Sequence, residues 1–305
     1  MIPVLAVLAA AVLFGTTGTA QALGPGDTTP LSVGVARLVI GGTALAAIGL
    51  GIGRRQRARQ SAPPRLTRRA FALMAVTGVC LAAYQPLFFL GTERSGVAVG
   101  TVIALGSAPV LAGLLEWAMT RRLPSRVWMT ATALATVGVA VLAISGGGAG
   151  GADPLGIVGS LGAGAAFAVF ANAQRRLMDD GWDPFTVAGA MGAGSAICGA
   201  LALLFVDLGW LASPGGLTVA LWLGLATIAV AYTLFTWGLQ RLTAATAATL
   251  TLAEPLTAGM LGVLLLGETL TGGAVIGILV LAAGLVLLAV FSRQPRDPAP
   301  YAAEA

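Results

Sequence analysis

One carboxylate stands alone in a long apolar run. Glu254, followed at once by Pro255, lies between Ala244 and Leu266. A helix that starts near Ala244 carries it about 15 Å along its axis. In a bilayer core about 30 Å thick that is the middle, where an ionisable group is costly and faces a cavity or a partner. Such a carboxyl group could contact a cationic substrate group or carry a proton. It could also bond a neighbouring helix in a purely structural role. Arg37 is the second ionisable side chain at depth, about 9 Å into its own apolar run. It could act as a counter-charge, or it could snorkel back to the outer interface. Glu116 falls near the end of a run beside Trp117 and reads as interfacial, and the adjacent Glu93 and Arg94 read as a loop pair.

Polar and aromatic side chains cluster in the same runs. Tyr84, Gln85, Phe88 and Phe89 form one group, and Tyr232, Phe235, Trp237 and Gln240 a second. Thr16, Thr17, Thr19 and Gln21 share the first run, and Asn172 and Gln174 a later one. Rings with a few polar tips suit a small-molecule pocket. Aromatic residues near span ends also form interface belts, and Gln174 and Gln240 fall close to such an edge. The candidate substrate-binding set is therefore Glu254, Tyr84, Gln85, Phe88, Tyr232, Phe235, Trp237, Thr16, Asn172 and Arg37. Pro109 and Pro255 sit near the middles of their runs. Proline removes a backbone donor and kinks a helix, so both are candidate hinges lining a cavity.

Other chemistries lack their residues. The chain has no histidine, which removes His-based metal sites, His acid–base catalysis and Ser-His-Asp triads. All 17 basic residues are arginine, so no lysine is present for a nucleotide-binding G-x-x-x-x-G-K-[ST] loop. Cys80 and Cys198 each stand alone in apolar surroundings and read as packed thiols, with no disulfide or metal. Gly24-Pro25-Gly26-Asp27 matches a G-x-G-D pattern of intramembrane aspartyl proteases, but that chemistry needs a second aspartate at depth, and none exists. No cofactor is expected. The arginines are not interleaved with aromatic residues, so nucleic acid is not an expected partner despite a pI of about 10.2.

The elements that must position these residues follow from composition. Of 305 residues, 57% are hydrophobic and only 10% charged, with a mean hydropathy of +0.91. A water-facing domain carries about 25% charge, so this chain cannot cover a soluble surface. Runs of about 20 apolar residues cross a bilayer as helices. Spans are expected near 2–23, 31–53, 69–90, 97–118, 126–146, 155–174, 185–206, 215–238, 244–266 and 272–291. Ala20-Gln21-Ala22 resembles a signal cleavage site, but the segment before it lacks a positive stretch, and we expect it to be a retained span. Turn residues separate the spans, and the glycine-rich stretch Gly146 to Gly151 reads as a linker between halves. The polar tail 293–305 is expected to be disordered and cytoplasmic.

With the N-terminus inside, 15 arginines fall in cytoplasmic segments and only Arg94 on the other side. This is a strong positive-inside bias and predicts a multi-pass protein of the cell (plasma) membrane with both termini cytoplasmic. A Ser61→Cys substitution in a background lacking Cys80 and Cys198 is expected to resist an impermeant thiol reagent in intact cells. Labelling would reverse the assigned orientation.

The halves also repeat. Pro109-Val-Leu-Ala-Gly-Leu-Leu115 and Pro255-Leu-Thr-Ala-Gly-Met-Leu261 share P-x-x-A-G-x-L at a separation of 146 residues, and the same offset aligns Gly138 with Gly284. Tyr84 to Gly91 has an aromatic-rich counterpart in Tyr232 to Gly238. Five spans per copy is an odd number, so the second copy enters from the opposite face. The expectation is an all-α integral membrane protein of about ten helices, built as two inverted five-helix repeats (1–146 and 154–292) around a central cavity. Gly49-x-x-x-Gly53 and Gly273-x-x-x-Gly277 provide close helix contacts, within the bundle first.

This order of features resembles the EamA branch of the drug/metabolite transporter superfamily across nearly the whole chain. Glu254-Pro255 followed by Leu266-Gly267-Glu268 is close to that family's Pro-rich ninth helix and its Gly-Glu ending. Leu13-Phe14-Gly15 is similar to the aromatic-Gly of its first helix, and Arg37 stands where the family often has arginine. Arg122 departs from it, standing where the family often has Glu. The resemblance implies a secondary carrier or exporter (efflux) of small metabolites by alternating access. We expect amino-acid-like, amine or amphipathic compounds as substrates, with proton coupling as an option. The competing readings are an intramembrane enzyme and a membrane scaffold. The partners expected are a small-molecule substrate and the lipid bilayer, with monomer and homodimer both left open.

Overall fold

The computed structural model describes residues 1–26, 28–60, 62–145, 153–267 and 271–291. Asp27, Ser61, the linker Gly146–Gly151, Glu268 and the tail from 293 lie outside the described residues. Ten helices are long and apolar enough to cross a membrane, and no strand occurs among the described residues. They are α1 (Ile2–Ala22), α2 (Pro30–Ala58), α3 (Arg68–Ser95), α4 (Val97–Thr120), α5 (Arg126–Ser145), α6 (Pro154–Asp179), α7 (Pro184–Phe205), α8 (Pro214–Leu239), α9 (Ala244–Leu266) and α10 (Gly272–Phe291).

Four of them begin by the same local rule. Pro30, Pro154, Pro184 and Pro214 occupy the first helical position, where the missing N–H costs nothing. The preceding Thr29, Asp153, Asp183 and Ser213 each accept a hydrogen bond from a backbone N–H of the first turn. Several helices outrun the expected spans. α3 has 28 residues and α6 has 26, because polar and charged ends continue the helix beyond the apolar core. Glu93 and Arg94 are therefore the last turn of α3 and not a loop, and Arg94 approaches Asp153 at 3.9 Å instead of pairing with Glu93.

Lipid provides no hydrophobic drive between helices, so close approach rests on small residues. A Cβ on Gly49 would fall 2.5 Å from Gly189, and one on Gly277 2.6 Å from Leu142. The two expected small-residue spacings thus join α2 to α7 and α10 to α5. On the α5–α10 seam Gly138 lies against Leu281, and Gly284 lies against Ala135. Residues 138 and 284 are 146 apart, and so are 135 and 281. The contact therefore maps onto itself when the two halves are exchanged.

Candidate functional site

α9 is two helical pieces. Ala244–Leu250 and Ala253–Leu266 are separated by a turn at Thr251 and Leu252. The Leu252 N–H donates to the Thr249 carbonyl at 3.1 Å, and the Glu254 N–H to the Thr251 carbonyl at 2.9 Å. Pro255 falls in the first turn of the outer piece, where a missing N–H is tolerated. By contrast, α4 runs as one helix through Pro109. The two candidate hinges therefore have different backbones: a break beside Pro255 and a continuous helix at Pro109.

The break presents Glu254 at the start of a helix, where the aligned peptide dipoles favour negative charge. The carboxylate makes no hydrogen bond to protein among the described residues. Glu254 is only half-buried, although α9 carries it to the depth of the bundle's middle. A Cβ on Gly15 would come within 2.6 Å of the Glu254 carbonyl and of Thr257, so α1 seats directly on the outer piece of α9.

Arg37 turns inward. Its Nη1 donates to Gln85 Oε1 at 3.1 Å and its Nη2 to Thr227 Oγ1 at 3.0 Å, while its Nε has no partner. The residue is 8% exposed, so snorkelling to the outer interface does not occur. Its position follows from glycine contacts. A Cβ on Gly34 would reach Gln85 at 3.1 Å, and Gly41 abuts the Gly224 carbonyl. α8 is wound as a π-helix over Trp222–Val230, a distortion that often marks functional sites. Thr227 lies within it. Glu254, Tyr84 and Tyr232 are near enough to Arg37 to interact electrostatically, but Arg37 and Glu254 form no ion pair. Two opposite charges thus face the same region without touching. Neutral acceptors hold the guanidinium in place, and its charge stays uncompensated by contact.

Aromatic rings pack beside this region, most of them as buried core. Tyr84 stacks on Phe88 at 6.1 Å, and Tyr232 lies 5.0 Å from Phe14 and 6.3 Å from Phe235. Phe167 and Phe170 of α6, 4.7 Å apart, complete the group, with Phe167 at 5.7 Å from Phe235. Phe14, Phe167 and Phe170 were absent from the sequence-derived set. The i, i+3 spacing of two rings inside one span was the available signal for the last two.

Seven of the ten candidates come together here: Glu254, Arg37, Tyr84, Gln85, Phe88, Tyr232 and Phe235. Three do not. Thr16 accepts a hydrogen bond from the Trp222 indole at 3.0 Å and lines a separate groove of about 670 Å³ with Thr19, Leu23, Thr218, Leu261 and Leu265. Asn172 is buried, its amide donating to the Ala112 and Ala168 carbonyls at 3.1 and 2.9 Å. Trp237 shares no ring contact with the cluster.

The first piece of α9 is enclosed on the arginine-rich side of the bundle. All seven residues of Ala244–Leu250 are buried, and this piece packs on α4 and α6. Glu116 Oε2 accepts the Ala245 N–H at 3.0 Å, so it clamps the start of α9 and is not merely interfacial. Arg175 Nη1 donates to the carbonyls of Leu239, Gln240 and Leu242 at 3.2, 2.8 and 3.2 Å, and its Nη2 pairs with Asp179 at 2.7 Å. Gln174, expected at the edge, is fully buried. It donates to Met191 Sδ and accepts from Thr236. Thr132 and Thr249 bond each other at 2.8 Å in the same half. No cluster of metal-ligating side chains occurs among the described residues.

The model of the EamA-like transporter family matches this chain twice, over residues 1–144 and 154–290. A Bacillus subtilis (strain 168) protein named "Uncharacterized transporter YwfM" is 40% identical over 290 residues, covering 95% of this chain and 94% of that protein. A solved structure described as "Crystal structure of protein" superposes with a TM-score of 0.76 at 19% identity, covering 96% of this chain and 99% of the other. That likeness concerns the fold alone.

Proposed function

We propose a mechanism for a chain that belongs to the EamA-like transporter family and is therefore a membrane transporter: it moves a small amine or amino-acid-like metabolite by alternating access through the Arg37–Glu254 region. The observation that carries this reading is the pair of separated opposite charges beside one aromatic cluster. Glu254, with no protein partner, suits a substrate ammonium or an exchanged proton. Arg37, with its Nε unpartnered, suits a carboxylate, since a guanidinium fork recognises that group with two parallel bonds. Tyr84, Phe88 and Tyr232 supply apolar walls and faces that attract a cation.

Alternation is supported by the asymmetry of the two sides. In this state the arginine-rich side is closed by Ala244–Leu250, while the outer piece of α9 packs on α1. The buried Gln174, Thr236, Thr132 and Thr249 are polar groups inside the closed half, expected where a path hydrates in the opposite state. The self-mapping α5–α10 contact and the paired family match favour two inverted repeats, the architecture in which such exchange is common. The arginine bias favours a plasma-membrane orientation with both termini cytoplasmic. No ATP-binding lysine exists, so a solute or proton gradient is the energy source in this reading.

Proteoliposomes loaded with a panel of amino acids, amines and carboxylates test it. Exchange is expected for compounds with an amino group. Arg37→Gln is expected to weaken zwitterions by about tenfold or more, from one lost charged hydrogen bond, while leaving simple amines less affected. Exchange of no panel member under any gradient would reject the reading.

A further inference from the structure

Seven arginines fall between residues 54 and 69, and no acidic residue lies among them. Their setting is built, not loose. α2 continues past its π-helical turn Gly49–Gly53 as the helical turn Arg54–Ala58. Its 29 residues span about 43 Å, more than a core of about 30 Å, so this turn emerges at headgroup level. One arginine acts as the anchor. Arg57 lies over the buried Trp182 ring at 4.7 Å and donates to the Pro64 carbonyl at 2.7 Å, fastening the connection to the α6–α7 corner. Gln60 reaches the Gly181 carbonyl of the same corner at 3.4 Å. Thr67 then caps α3.

The other six, Arg54, Arg55, Arg59, Arg65, Arg68 and Arg69, are exposed, and their guanidinium groups have no hydrogen bond or ion pair among the described residues. The carboxylates at that corner are already engaged. Asp179 pairs with Arg175 at 2.7 Å, Asp180 with Arg176 at 3.5 Å, and Asp183 caps α7 through the Thr186 N–H. Two large apolar side chains, Leu66 and Phe71, 60% and 63% exposed, stand among the arginines. A positive array with apolar side chains beside it, at the level of lipid phosphates, matches a phospholipid on both counts: phosphate for the guanidinium forks and acyl chain for Leu66 and Phe71.

We propose that the α2–α3 connection is a docking surface for anionic phospholipid headgroups, whose phosphates are bound by these six arginines. The surface is distinct from the transport site and does not depend on which compound is carried. The purified, delipidated protein is offered phosphatidylglycerol or phosphatidylcholine, and bound lipid is counted by native mass spectrometry. Phosphatidylglycerol is expected to be retained about tenfold or more over phosphatidylcholine. Substitution of Arg54, Arg55 and Arg59 by Gln is expected to abolish that preference. Substitution of Arg121, Arg126 and Arg241, an equal charge removed elsewhere on the same side, is expected to keep it. Equal loss in both variants, no preference in the wild type, or displacement by free glycerol phosphate at the lipid's own concentration would each overturn the proposal. Should the Gln variant misinsert, Arg54, Arg55 and Arg59 are replaced by Lys, which keeps the charge that insertion reads. At least threefold weaker retention is then expected from the lost forks, and wild-type retention overturns the proposal.

Discussion

Glu254→Gln is expected to insert and fold like the wild type but to lose between about ten- and a hundredfold in exchange of amine-bearing solutes, the loss expected from one charged hydrogen bond. The substitution preserves shape at a position whose carboxylate makes no hydrogen bond to the described residues, so no such bond is broken and only the longer-range attraction to Arg37 is lost. It removes the negative charge at the head of the outer α9 piece and leaves Arg37 as the only charge facing the space. Two measurements separate this from a structural role. Thermal unfolding in detergent should shift little, because no internal hydrogen bond is lost. Exchange measured across a range of pH should become flat in the variant if Glu254 trades a proton for the substrate amine. Matching rates and matching pH profiles for the two folded proteins would leave Glu254 as structural and remove it from the proposed mechanism.

That Glu254 stood out in the sequence has a simple cause. One carboxylate among about 20 apolar residues has no soluble explanation, and helix rise alone sets its depth. The ten spans were readable for the same reason. Arg37 shows where such reading stops. Its depth was calculable, but its direction depends on Gln85 and Thr227, which are 48 and 190 residues away, and on Gly34 and Gly41 bringing those helices close. Pairing was opaque too. Glu93 and Arg94 are neighbours in sequence, yet successive helical residues point about 100° apart, and Arg94 faces the start of α6 instead. Gln174 looked like an edge residue because four charges follow it within six positions. α6, however, runs on to Asp179, and Thr236 and Met191 enclose the amide. Phe14 stood out only as part of the Leu13-Phe14-Gly15 motif, and Phe167 and Phe170 only by their i, i+3 spacing; contact with Tyr232 and Phe235 is what joins all three to the cluster.

Arg175→Ala is expected to open the arginine-rich side. The guanidinium gathers three carbonyls at the end of α8 and the following turn, which lie next to the seven-residue inner piece of α9. A partly buried charged hydrogen bond contributes roughly 1.5–3 kcal/mol. In the proposed alternation those contacts would be lost when the inner piece moves away, so their removal is expected to favour the open state by at least about tenfold. Glu116→Gln should act in the same direction and more weakly, because the amide oxygen still accepts the Ala245 N–H but without charge. In the proposed alternation the break at Thr251–Leu252 would let the inner piece move while the outer piece stays on α1; it lies two residues from Glu254, so the proposed site and the inner half share one backbone segment. Ala248→Cys in a background lacking Cys80 and Cys198 would report on such a transition, since Ala248 is 1% exposed in this structure. Labelling by a soluble thiol reagent from the arginine-rich side should be slow in the parent and about tenfold faster after Arg175→Ala. A substrate that draws the inner half shut should slow it again. If labelling is unchanged by Arg175→Ala while the variant remains folded, the turn is held by apolar packing of Ala244–Leu250 on α4 and α6, and the polar latch has no part in gating.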